Sequence, residues 1–120
     1  MLVPDFYTIQ KTEAMDGFIK STIRLNPNHA VYKGHFPGQP VVPGVIQLQI
    51  IKEILEESIG QQLLISHVSS AKYLRIVTPD TSPELMITIQ YSKTEEDEIK
   101  VNALIGALET TFTKVKMMLK

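Results

Sequence analysis

From His35 to Gln49 the chain reads HFPGQPVVPGVIQLQ, with three prolines (Pro37, Pro40, Pro43) and two glycines (Gly38, Gly44) leading into the longest apolar run of the sequence. Proline fixes φ and has no N–H to donate, so the backbone from His35 to Pro43 is excluded from a helix interior and from a central strand. It must be a stiff, irregular loop. Helix-compatible residues begin at Pro43 or Gly44, and proline suits the first helical turn, where its missing N–H is no loss. A rigid loop therefore holds a histidine and delivers the chain to a helix N-terminus with unpaired N–H groups and a positive dipole end. A general base beside a set of backbone donors has the shape of a site that handles a polarised carbonyl.

Val45 to Ile59 is the one strong helix signal. At ~100° per residue, Val45, Ile46, Leu48, Ile50, Ile51, Ile54, Leu55 and Ile59 cover well over half the circumference. Gln49, Lys52, Glu53, Glu56 and Glu57 fall on a narrow polar arc, with Gln47 the polar exception on the apolar side. A helix this apolar needs a wrapper, and a strongly curved sheet supplies one. Gly60 is placed to cap its C-terminus. The rest reads as strands: Phe6 to Lys11, Gly17 to Leu25, Leu63 to Val77, Glu84 to Tyr91, Ile99 to Ile105 and Thr110 to Lys120. Most alternate at period two, and turn residues such as Asp16-Gly17, Asn26-Pro27 and Thr94 to Asp97 separate them. Gly106 suggests a hairpin or bulge. His29 to Gly34 reads as a connection. One buried helix with about six antiparallel strands is an α+β domain spanning residues 1–120.

Composition excludes several classes of function. A net charge of −1 gives no electrostatic reason to bind nucleic acid. The absence of cysteine removes disulfides, thiol nucleophiles and thiolate metal sites, and suits a reducing cytoplasm. No apolar run reaches the ~18 residues that span a membrane, and the start of the chain does not read as a signal peptide. His29, His35 and His67 sit on different elements without ligand spacing, so no metal is expected.

HFPGQPVVPGV resembles the signature of the 3-hydroxyacyl-acyl-carrier-protein dehydratases of fatty-acid synthesis. AKYLRIVTPD (Ala71 to Asp80) is similar to that family's strand after the helix, where a basic-aromatic pair precedes a Pro-Gly-Asp turn; the Gly is missing here. The resemblance implies the hotdog fold, with one long central helix wrapped by a curved antiparallel sheet. It implies His35 as the base at the substrate α-carbon. It also implies that Gly44 offers its N–H to the thioester carbonyl, and that Phe36, Pro43 and Val45 line the acyl site. Gly44 has a steric role as well, since glycine lets the loop turn tightly into the helix.

The departure from the pattern is at Gln49. The family carries a catalytic Glu or Asp there, contributed by the other subunit's helix to help the β-hydroxyl leave. Gln has an amide donor and acceptor but no titratable proton, and losing a positioned acid removes ~10²–10⁴-fold of rate. Glu53 lies one turn on, displaced by ~5–6 Å, too far to make the same contact. Glu53, Glu56 and Glu57 are therefore expected to form a solvated face. The implied substrate is an acyl carrier protein thioester, with no cofactor. Lys72 and Arg75 are candidates for docking the acidic carrier. The implied assembly is a homodimer joined edge to edge, with a hexamer or a heterodimer left open. Three readings follow: a dehydratase with altered chemistry, an inactive acyl-binding or heterodimer subunit, and an acyl thioesterase.

Overall fold

Period-two alternation organises the sheet. In the computed structural model, which describes residues 5–34 and 40–120, β2 (Phe18–Leu25) buries Ile19, Ser21, Ile23 and Leu25 and turns Phe18 and Lys20 the other way. β4 (Glu84–Lys93) buries Leu85, Ile87 and Ile89, and β5 (Ile99–Ala107) buries Ile99, Val101, Ala103 and Ile105. β6 (Thr110–Leu119) buries Val115, Met117 and Leu119, with Lys114 and Lys116 outward. These are the inward sets that the alternation predicts. Each large aliphatic side chain fully withdrawn from water contributes about 1.5–3 kcal/mol.

β1 (Tyr7–Met15) runs four residues beyond the expected end at Lys11, because it pairs with β2 as far as Met15↔Phe18 across the two-residue Asp16-Gly17 turn. Gly106 marks the expected bulge, where the β5–β6 register shifts. The six strands form one sheet in the order β1-β2-β4-β5-β6-β3, and every neighbouring pair is antiparallel. β3 (Ile65–Tyr73) is shorter than the expected Leu63 to Val77. It joins β6 at the far end of the sheet from β1. The connection from β2 to β3 therefore crosses three strands, β4, β5 and β6, and the long helix α2 (Gly44–Ile59) lies in that connection.

α2 packs against β2 and β4 with Ile50, Ile51, Ile54 and Leu55 almost completely buried. Pro43 is its N-cap residue, and the Pro43 carbonyl accepts from the N–H groups of Ile46 and Gln47. Gly60 closes the helix in the left-handed conformation, φ 68°, and donates its N–H to Glu56 O. A curved antiparallel sheet wrapped around one central helix is the hotdog fold. His29 to Gly34, expected as a plain connection, holds the one-turn helix α1 (Val31–Gly34). There Tyr32 and His29 pack on Phe6, with ring centroids 5.5 and 5.1 Å away. His29 Nδ1 accepts the Val31 N–H, which explains that histidine structurally.

Gln47, the polar residue on the apolar face, is 3% exposed. Its Nε2 donates to Val42 O, and its Oε1 accepts from the buried Thr113 hydroxyl of β6. Both ends of the amide are matched, so the buried polar group is tolerated. It ties the first turn of α2 to β6 and to the chain before the helix. That preceding chain is held again where the Val42 N–H donates to Val77 O.

Candidate active site

The start of α2 sits beside the end of β3. A Cβ on Gly44 would lie 2.7 Å from both Cζ and the hydroxyl oxygen of Tyr73. The steric demand for glycine thus has a specific source, the tyrosine ring resting on the first helical turn. Burial pushes the Tyr73 hydroxyl pKa up, so it stays a neutral phenol. α2 has no side-chain N-cap, and the N–H groups of Gly44 and Val45 have no acceptor among the described residues. Pro43 is partly buried and Val45 is 74% exposed, so Val45 offers apolar surface outward. His35 and Phe36, the other two site residues expected from the loop, lie outside the described residues.

Gln49 is half-buried, and its Nε2 donates to Glu53 Oε2 at 3.0 Å. Glu53 corrects the expectation of a solvated face, being only 7% exposed. Tyr7, at the start of β1, donates its hydroxyl to Glu53 Oε1 at 2.9 Å. The cause is tertiary. β1 brings Tyr7 over the arc that periodicity assigned to solvent, and covers Glu53 while Glu57 remains exposed. Burial, first, and then the hydrogen bond to Glu53 and the negative charges of Glu53, Glu57 and Glu56 hold the Tyr7 pKa far above the usual phenol value. Tyr7 therefore keeps its proton at neutral pH and donates it to Glu53. Glu56 is partly buried, paired with Lys52 at 3.7 Å, and accepts the Leu63 N–H.

Tyr7, Gln49, Lys52, Glu53 and Glu56 line an open groove of about 840 Å³. Sequence reasoning singled out Gln49 but missed Tyr7, whose bond to Glu53 spans 46 positions. The i,i+4 spacing of Gln49 and Glu53 was the available signal for their pairing. His67, Lys72 and Arg75 are all exposed on or just beyond β3, and none joins the Tyr7–Glu53–Gln49 group.

A family model described as ApeI-like, ApeI dehydratase, matches residues 10–105. The chain belongs to the ApeI-like dehydratase family. The 3-hydroxyacyl-acyl-carrier-protein dehydratase FabZ of Latilactobacillus sakei is 34% identical over 89 residues, and the chain spans 61% of that relative's length. The corresponding FabZ of Lactobacillus helveticus is 25% identical over 116 residues, covering 87% of this chain and 78% of the relative. Among solved structures, the dehydratase heterocomplex ApeI:P from Xenorhabdus doucetiae superposes with a TM-score of 0.75 at 19% identity, covering 93% of this chain and 96% of that one. This ApeI-like chain thus pairs its family's fold with an amide at position 49 and a buried carboxylate one turn later.

Proposed function

We propose that this protein interconverts 3-hydroxyacyl and trans-2-enoyl thioesters of acyl carrier protein, in fatty-acid or polyketide-type synthesis in the cytoplasm. The observation that carries the reading is the HFPGQPVVPG motif running into an α2 whose Gly44 N–H has no acceptor among the described residues, in a chain of the ApeI-like family. His35 takes the C2 proton. The Gly44 N–H, aided by the helix dipole, stabilises the charge that develops on the thioester oxygen. The C3–O bond then breaks, the C2–C3 double bond forms, and the hydroxyl leaves as water. Gln49 cannot supply that proton as an acid, so it returns from His35 or through a water held by Gln49. The thioester itself acidifies C2, and the reaction needs no cofactor. Phe36, Pro43 and Val45 bound the acyl chain.

The assembly we propose is a homodimer through β3. That strand is a sheet edge, and Val68, Tyr73, Leu74 and Ile76 expose apolar surface on it or just after it. A second copy would add its own β3 there, next to the start of α2, and His35 of one subunit would work with Gln49 of the other. A heterodimer is the second reading. Gln49 leaves this helix without the family's carboxyl group, which a homologous partner would supply, and the Xenorhabdus structure is itself a dehydratase heterocomplex.

Product analysis with a 3-hydroxyacyl thioester tests the activity, and native mass spectrometry tests the assembly. The reading expects enoyl thioester from a homodimer. Free acid would replace it with thioester hydrolysis, and a chain that pairs only with a homologue would favour the heterodimer.

A further inference from the structure

The Tyr7–Glu53–Gln49 chain of hydrogen bonds fixes more than the position of Gln49. A carboxamide has one donating and one accepting end. Tyr7 donates to one oxygen of Glu53, and the Gln49 amide meets the other at 3.0 Å. The Gln49 NH₂ faces Glu53, which leaves Oε1 as the end presented elsewhere. No described residue donates to that oxygen, and Gln49 lines the open groove.

We propose that Glu53, held by Tyr7, is a positioning residue that sets the polarity of Gln49, so that the site presents an acceptor to C3 of the acyl chain. The substrate it favours is one with a donor at C3, a 3-hydroxyacyl thioester, over the 3-oxoacyl thioester of the same length. This rests on the acyl-thioester reading above. It adds a basis for selectivity that a carboxylic acid at position 49, able to donate or accept with its protonation state, would not give.

Replacing Glu53 by Gln makes the argument testable. Tyr7 still donates to the oxygen of the new amide, whose NH₂ then faces Gln49 and turns it over, presenting a donor to C3. Calorimetry would compare 3-hydroxyacyl and 3-oxoacyl pantetheine amides of matched length, which resist dehydration and hydrolysis. The wild type is expected to prefer the hydroxyl by roughly threefold to tenfold, the range that one net hydrogen bond supplies. Glu53→Gln is expected to lose or reverse that preference, and Gln49→Leu to lose it. A purely structural role for Glu53 would weaken both ligands equally. A Glu53→Gln variant that keeps the wild-type preference, or weakens both ligands equally, overturns the proposal.

Side-chain amide NMR of the ligand-free protein separates this from failure of the acyl-thioester reading. The Gln49 NH₂, identified by its loss in Gln49→Leu, should exchange with solvent more slowly than it does in Glu53→Ala. Equal exchange contradicts the pairing itself. Slow exchange with no binding of either amide leaves the polarity intact and instead overturns the substrate class, along with the selectivity proposed for it.

Discussion

Two tyrosines make contacts whose consequences can be measured one residue at a time. Tyr73 lies where a Cβ on Gly44 would be, at 2.7 Å. Gly44→Ala must displace the ring or the helix start, which costs about 1–3 kcal/mol. Chemical denaturation should register that loss, and the same substitution in a Tyr73→Ala background should recover most of it. Tyr32 is 6% exposed, and its hydroxyl has no partner among the described residues. Removing an unmatched buried hydroxyl is neutral or favourable, so Tyr32→Phe should leave stability unchanged or raise it by about 1 kcal/mol at neutral pH. Burial, and then the charge of Asp80, push the Tyr32 pKa up to about 12. Between the ordinary phenol value, near 10, and that raised value, the unfolded chain releases a proton that the folded one keeps. Stability therefore falls as pH rises through this window. Urea midpoints across it should fall less steeply in Tyr32→Phe than in the wild type.

At the scale of elements, α2 gives the core four almost fully buried side chains, Ile50, Ile51, Ile54 and Leu55. Ile51 and Ile54 are 0% and 1% exposed. Ile51→Ala should cost about 2–5 kcal/mol in denaturant unfolding, with the spread set by how far the cavity collapses. Period two identified the inward residues of β2, β4, β5 and β6, and period 3.6 placed α2, because each of these elements meets solvent on one side and core on the other. The same rule misplaced Glu53. A polar arc records the chemistry of the residues on it, but not that Tyr7, 46 positions away, folds over them. β3 was blurred for a different reason. Its sequence mixes Ile65, Val68 and Ala71 with Ser66, His67, Ser69 and Ser70, and most of the strand is exposed. Its residues therefore carry little of the alternation that the chain's own core imposes. Gly44 was legible as a site where glycine is needed, although the cause, Tyr73, is visible only in three dimensions.

For the whole molecule, the long sheet crossing between β2 and β3 places the start of α2 at the β3 edge, so the proposed chemistry and the proposed dimer share one border. An edge-to-edge dimer should be sensitive to charge there. Val68→Glu with Ile76→Glu is expected to shift the protein from dimer to monomer in sedimentation or native mass spectrometry. Enoyl hydration should fall with it, because His35 and Gln49 would no longer meet. A stable dimer after both substitutions would move the interface elsewhere. In the proposed reaction the amide at position 49 sets how fast the assembled site can work. A carboxyl group placed there would lie against Glu53, and two adjacent carboxylates disfavour each other's ionisation, so one of the pair is expected to keep its proton to higher pH. The most direct measurement is hydration of a trans-2-enoyl thioester by the wild type, His35→Ala and Gln49→Glu. The wild type should turn over slowly and His35→Ala not at all, with Gln49→Glu faster than wild type by up to about 10²-fold. No turnover by either the wild type or Gln49→Glu, or full wild-type turnover by His35→Ala, would contradict the account.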